Sequence, residues 1–235
     1  ATENNAHPHR SQNGRFTLVH NGVIENFSEL KETYLSHVNF QSQTDTEVAV
    51  NLVEYFAEKE GLSGKEAFRR ALKEIRGSFA FGLLDEQAPG VLYAAKHKSP
   101  LVVGVGNGFN VICSDAMATI SQTDTYLEIK DEELITITKD KVEIETIDGK
   151  AVERAPFKAE LDADDIEKGA YPHYMLKEMD EQPAVLRRII KEYTNEAGEL
   201  EVPSELLEEI GQSDRVYVVA CGTSYHAGWI GKYLL

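Results

Sequence analysis

Only two cysteines, Cys113 and Cys221, occur among the 235 residues. They are far apart and each lies in an apolar, strand-like run, which predicts buried thiols in a reducing compartment and excludes a disulfide framework. Basic residues are scarce beside acidic ones: 24 Lys and Arg against 40 Asp and Glu give a formal net charge of −16. A field of that sign repels phosphate backbones and anionic lipid surfaces, and no basic run offsets it, so neither nucleic acid nor a membrane is an expected partner. No stretch approaches the roughly 20 uninterrupted apolar residues of a membrane span. The opening ATENNAHPHR has no apolar signal region. The expectation is a soluble, cytoplasmic protein. What remains is ordinary globular material: with 42% hydrophobic residues, a chain this long buries roughly 70% of its unfolded surface and needs no staple to fold. At about 150 residues per domain, the length allows one domain and part of a second.

Arg15 to His20 reads as a strand, and Asn21-Gly22 directly after it reads as a tight turn, because both residues tolerate positive φ. A short helix follows near Ser28 to Leu35. In SQTDTEV, Asp45 or Thr46 can cap a helix whose Val48, Leu52 and Phe56 recur every fourth residue. A second amphipathic helix presents Phe68, Leu72 and Ile75 and ends at Gly77. From Ser78 the pattern becomes short strands: SFAFGLLD, GVLYAAK, PLVVGV, FNVICS, then Thr125 to Ile129, Glu133 to Thr138 and Lys141 to Ile147. The first alternates small Ser78, Ala80 and Gly82 with large Phe79, Phe81 and Leu83, so both of its faces are expected to be buried. Residues 1–158 therefore predict a layered α+β domain. The acidic stretch 159–170 (AELDADDIEKGA) reads as a linker. In residues 171–235, a helix is interrupted or restarted at Pro183, and VYVVACGTSYHAG reads as one strand-turn-helix unit of a parallel sheet.

Two clusters can carry chemistry. Thr223 and Ser224, just past the end of an apolar strand, either cap the following helix or bind a phosphorylated or polyhydroxylated ligand with its free N–H groups. His7, His9, His20 and Asp45 supply ligand types that zinc accepts, or are imidazoles satisfied by backbone carbonyls. The Asn21 amide and the Gly22 N–H form either an ordinary hairpin turn or an oxyanion pair, whose donors contribute about 3 to 4 kcal/mol each when preorganised. Asp45 is either a helix cap or a partner for the ammonium of an amino-acid ligand. Cys221 is expected to pack rather than react, and Cys113-Ser114-Asp115 to be a strand end with a cap.

The runs NAHPHRSQNGRFTLVHNGVIENFSELK, SQTDTEV, LKEIRGSFAFGLLD, KSPLVVGVG and SDAMA resemble the glutaminase domain of the isomerising glutamine:fructose-6-phosphate aminotransferases, the glucosamine-6-phosphate synthases. EKGAYPHYMLKEMDEQP and VYVVACGTSYHAG resemble that family's linker and the opening of its sugar isomerase domain. The resemblance implies an N-terminal-nucleophile hydrolase fold for residues 1–158, a four-layer sandwich with two antiparallel sheets. It implies the first β-α unit of a parallel α/β isomerase domain for residues 171–235. Asn21 and Gly22 match the family's oxyanion pair, Asp45 its ammonium-binding carboxylate, and His7 a supporting histidine. Thr223 and Ser224 match its sugar-phosphate contacts. In the family, an N-terminal cysteine attacks the glutamine amide with its own amine as base. The ammonia then passes through a channel to fructose 6-phosphate, yielding glucosamine 6-phosphate for hexosamine synthesis. Neither cofactor nor metal is implied, and a homodimer through the isomerase domain is. The HNG and TDTE signatures are shared with phosphoribosylpyrophosphate amidotransferases and asparagine synthetases, so another such amidotransferase is one alternative and a non-catalytic sugar-phosphate-binding module a second. Position 1 is Ala where the family has its cysteine, and the family's arginine-containing substrate clamp is absent. Both domains are therefore expected to be truncated, and these 235 residues to lack glutaminase activity.

Overall fold

Strand β3 (Gly77–Asp85) divides the interior of the first half of the chain, and its alternating side chains are the reason. Phe79, Phe81 and Leu83 point to one face, where they join Phe16, Leu18 and Ile24 of β2 (Phe16–Ile24). The same core takes Val48, Leu52 and Phe56 of α2 (Asp45–Lys59) and Phe68 and Leu72 of α3 (Gly64–Glu74). The rings of Phe79 and Phe81 stack with centroids 4.6 Å apart. On the opposite face Ala80 belongs to a second core with Leu101, Val103, Leu127, Ile135 and Ile137. Gly82 shares that face; a Cβ there would lie 2.7 Å from Ile112 Cδ1, so the absence of a side chain lets a second sheet approach. Helix–sheet–sheet layering thus follows from one strand's pattern of small and large residues.

The computed structural model describes residues 2–159, 171–195, 197–199 and 201–234. The seven-stranded sheet has the order β1 (His9–Arg10), β2, β3, β4 (Leu92–His97), β8 (Glu133–Ile137), β9 (Val142–Thr146) and β10 (Ala151–Val152). The four-stranded sheet has the order β11 (Phe157–Lys158), β7 (Thr125–Glu128), β5 (Val102–Val105) and β6 (Asn110–Cys113). All neighbouring strands are antiparallel. The fold is the α+β arrangement of two antiparallel sheets with helices that the alternation indicates. Helix α1 (Phe27–Tyr34) packs beside α2. Helix α3 starts where the Ser63 hydroxyl accepts the Glu66 N–H at 3.3 Å.

The chain divides into two compact units, residues 1–167 and 168–235. Of the acidic stretch read as a linker, residues 160–170 lie outside those described. In the second unit, α4 (Tyr174–Glu192) runs unbroken through Pro183, where a break was expected. Proline there removes one backbone donor and its hydrogen bond, and the turns on either side hold the helix together. Helices α5 (Ser204–Gln212) and α6 (Gly222–Leu234) follow. The strand expected in the run VYVVAC is not formed: no strand occurs among the described residues of this unit, and Val219 is 94% exposed. A buried parallel strand requires neighbours on its edges and helices on both faces, and the described residues of this unit supply no neighbouring strand. The β-α unit is accordingly an extended segment followed by a helix. Cys221 ends that segment and is exposed, while Cys113 on β6 is half-buried; neither is the buried thiol that the apolar runs predicted. Among the described residues, no helix is long and apolar enough to cross a membrane.

Filling the gap between the sheets tests this layering. Gly82→Val is expected to destabilise the first unit by about 1 to 3 kcal/mol in urea unfolding, by overpacking against Ile112. Leu84→Ala, on the same strand but at a side chain 51% exposed, should stay within about 0.5 kcal/mol.

Candidate active site

The site forms where the outer edge of β2 meets the start of α2. Asn21 and Gly22 are not at a hairpin turn; both lie inside β2, opposite Ala80 and Phe79. The dipeptide's tolerance of unusual φ serves the strand instead. Gly22 has φ +144°, and a Cβ there would lie 2.1 Å from the Ser78 carbonyl oxygen. Only glycine fits so close to the neighbouring backbone.

The ladder's phase decides which way the Gly22 N–H points. The Glu86 N–H donates to the Arg15 carbonyl at 3.0 Å and the Glu25 N–H to the Arg76 carbonyl at 2.8 Å, bracketing β2 at both ends. Odd-numbered residues of β2 therefore exchange hydrogen bonds with β3, and even-numbered ones face the other way. Two bonds on that outer side agree: the Phe16 carbonyl accepts from Ser11 N–H at 3.0 Å, and the Ile24 N–H donates to Asp45 Oδ2 at 2.7 Å. The Gly22 N–H points outward between them, beyond the reach of β1, which pairs only with Thr17 and Leu18. The Asn21 side chain leaves on the face toward the second sheet and lines a cavity of about 330 Å³ with His7, His20, Leu101 and Cys113. Among the described residues its carboxamide has no hydrogen-bond partner.

Each residue of Thr44-Asp45-Thr46-Glu47 has a separate task. Thr44, rather than Asp45 or Thr46, caps α2: its hydroxyl accepts the Glu47 N–H at 3.3 Å. Glu47 is buried and reaches back to the preceding loop, accepting from Gln41 N–H at 2.8 Å, Ser42 N–H at 2.7 Å and the Ser42 hydroxyl at 2.6 Å. This is a variant of the capping box, and the T-x-x-E spacing was the signal that could have found it. Asp45 is thereby the first residue of the helix, where the positive end of the helix dipole favours a carboxylate. Thr46 Oγ1 lies 3.1 Å from His7 Nε2 and 3.0 Å from His20 Nδ1. His9 Nε2 lies 3.1 Å from Thr44 Oγ1. The three imidazoles thus gather at the start of α2, each within hydrogen-bond distance of a threonine hydroxyl. Among the described residues, no group of three or more His, Cys, Asp or Glu side chains could hold a metal ion.

Burial pushes the pKa of His20 below 6.5, against the opposing pull of Asp45. Burial and then the neighbouring His7 do the same to His9. Thr223 and Ser224 lie exposed in the first turn of α6, inside the helix rather than capping it. Cys113 Sγ lies 3.4 Å from Thr119 Oγ1, a neutral partner that does not activate a thiol. A separate groove of about 540 Å³ gathers Lys73, Arg76, Lys96 and Lys98, a basic cluster not legible in the sequence. Glu25, Glu132 and Asp148 line the same groove, and Lys73 pairs with Asp148 at 3.2 Å and Lys96 with Asp131 at 2.5 Å.

The sequence profile described as "Glutamine amidotransferase domain" matches residues 1–121, and the chain belongs to that family. It is 60% identical over 231 residues to a protein of Listeria innocua named "Glutamine--fructose-6-phosphate aminotransferase [isomerizing]", covering 98% of this chain and 38% of that one. A Streptococcus pneumoniae protein of the same name is 56% identical over 234 residues, covering 100% of this chain and 39% of its own. The chain spans about two fifths of the length of these relatives. Among solved structures, the phosphoribosylpyrophosphate amidotransferase of B. subtilis, complexed with ADP and GMP, aligns at a TM-score of 0.53 with 25% identity, covering 62% of this chain and 32% of that one. A structure titled as the allosteric regulatory enzyme of purine biosynthesis aligns at 0.52 with 25% identity, covering 61% and 31%.

Two measurements check the local construction. Thr44→Ala is expected to cost about 1 kcal/mol in unfolding free energy through the lost cap. Because His9 and His20 resist protonation when folded, while unfolded imidazoles take up protons near 6.5, stability is lost as the pH falls below about 6.5. The urea midpoint should decline from about pH 7 to about pH 5.5; a flat profile contradicts buried neutral imidazoles.

Proposed function

We propose that this chain forms the glutamine-hydrolysing part, and the start of the sugar-binding part, of an enzyme that makes glucosamine 6-phosphate from glutamine and fructose 6-phosphate. One observation carries the reading: on a single edge of β2, the Gly22 N–H faces outward beside Asn21, and two residues further on the Ile24 N–H anchors Asp45. Asn21 and Gly22 are the donors for the oxyanion that develops when the side-chain amide of glutamine is attacked. Asp45 binds the substrate's ammonium through the lone pairs that Ile24 leaves free. His7, bonded to Thr46, supports that arrangement. The attacking group, as the resemblance implies, is a cysteine at a chain N-terminus; among the described residues Cys113 Sγ has a neutral hydroxyl, Thr119 Oγ1, as its hydrogen-bond partner.

Residues 1–158 are the glutaminase domain, 159–170 the linker and 171–235 the opening of the isomerase domain, where Thr223 and Ser224 contact the sugar phosphate. The names of the relatives support fructose 6-phosphate as the acceptor. The working form is a homodimer, and its compartment the cytoplasm, consistent with two unpaired thiols.

The test is an assay of the intact protein for glutamate and glucosamine 6-phosphate together; glutamate without the amino sugar would remove the synthase claim. Asn21→Ala is expected to lower glutamine hydrolysis by about two to three orders of magnitude and to spare sugar isomerisation. Asp45→Asn should raise KM for glutamine through lost ground-state binding. Equal losses of isomerisation in both variants would show that the two residues do not belong to one half-site.

A further inference from the structure

We propose that His20 is a positioning residue that holds the Asp45 carboxylate in its ligand-binding orientation through the hydroxyl of Thr46. The inference rests on the reading of Asp45 as the ammonium partner and deepens it. Thr46 Oγ1 has three polar neighbours: His7 Nε2 at 3.1 Å, His20 Nδ1 at 3.0 Å and Asp45 Oδ1 at 3.5 Å. A hydroxyl has one proton to give and two lone pairs. The carboxylate is the strongest acceptor of the three, so the proton goes to Asp45 and both imidazoles donate to the hydroxyl oxygen. Counting protons then fixes the tautomers: His7 carries its proton on Nε2 and His20 on Nδ1.

The two possible assignments differ at the other nitrogen of His20. Nε2 is buried and makes no hydrogen bond of good geometry among the described residues. The competing arrangement protonates Nε2 toward the Ser78 carbonyl. Nδ1 would then take the Thr46 proton and leave Asp45 without it.

His20 is built to hold a partner still. Its side chain is 2% exposed, its backbone sits in β2 opposite Phe81, and its ring packs on the Phe81 ring with centroids 4.8 Å apart. Asp45 Oδ2 is fixed by the Ile24 N–H, and the Thr46 hydroxyl restrains Oδ1. Two restraints set the plane of the carboxylate, and its remaining lone pairs face an incoming ammonium in one direction. Without the hydroxyl bond the group turns about its last torsion, and binding weakens before chemistry does.

The test is glutamine hydrolysis by the intact protein carrying His20→Leu, Thr46→Val, both together, or His20→Asn. The Leu and Val variants are each expected to raise KM about tenfold with kcat changed less than about twofold, and the double variant should be no worse than either. In His20→Asn the amide nitrogen occupies the place of Nδ1 and recovers most of the loss. Should His20→Leu fail to fold, Thr46→Val and the nitrogen-15 spectrum of the wild-type imidazoles decide: the His20 proton is expected on Nδ1. A proton on Nε2, additive effects in the double variant, or unchanged KM overturns the inference and leaves the reading of Asp45 standing. A wild-type protein that turns over no glutamine overturns both.

Discussion

The 2.7 Å hydrogen bond from the Ile24 N–H to Asp45 joins the two elements on which the site depends. An even-numbered residue near the end of β2 has its N–H outside the ladder, and an unmet donor at a sheet edge is costly unless something accepts it. The first residue of α2 supplies a carboxylate, at the helix end where negative charge is favoured. Each end therefore satisfies a need of the other, and the backbone N–H of Ile24 fixes where the Asp45 carboxylate sits, two residues along β2 from Gly22. Moving α2 by the length of one hydrogen bond would break that anchor and the His7–Thr46 and His20–Thr46 contacts together.

That rigidity comes from the cores behind it. Leu18 and Ile24 of β2 and Val48 and Leu52 of α2 are all buried in the core that Phe79, Phe81 and Leu83 floor, so the strand edge and the helix start are fixed by the same packed interior. Glu47 adds a second constraint by gathering the Gln41 and Ser42 donors into the turn before α2. The proposed chemistry needs this: donors aimed at a developing charge are effective because they do not have to reorganise when it appears.

Much of this was legible in the residues. Fourfold spacing marked Val48, Leu52 and Phe56, and the small–large alternation of Ser78 to Leu83 marked a strand buried on both faces, because both signals are local. Structure departs from local pattern where one local signal has several uses. Asn-Gly marks positive φ, which a turn requires but which a crowded strand also exploits at Gly22. Thr44-Asp45-Thr46 offers three capping residues in succession, and the choice of Thr44 follows from the anchoring of Asp45 by a strand far away in sequence. The run VYVVAC has strand composition, but a ladder is a property of neighbours, and the segment has none among the described residues of its unit. The outward N–H of Gly22 was beyond sequence altogether, since it depends on the phase of pairing with β3.

The division into two units separates what is common from what is selective. The amidotransferase profile stops at residue 121, and the solved phosphoribosylpyrophosphate amidotransferase aligns with 62% of the chain. The relatives that carry a sugar phosphate in their name match 98 to 100% of it. Likeness to the solved amidotransferase thus covers part of the chain, while likeness to the relatives named for fructose 6-phosphate covers nearly all of it. Under the proposed function that is the physical expectation: releasing nitrogen from glutamine needs the same donors and carboxylate whatever receives it, and the identity of the receiver must be written in a different part of the chain. A hydroxyl-bearing helix start such as Thr223-Ser224 reads a phosphate only once strands and helices around it exclude water. Under the proposed function, the part that handles glutamine is therefore argued from its own geometry, and the part that handles the acceptor from its likeness to relatives.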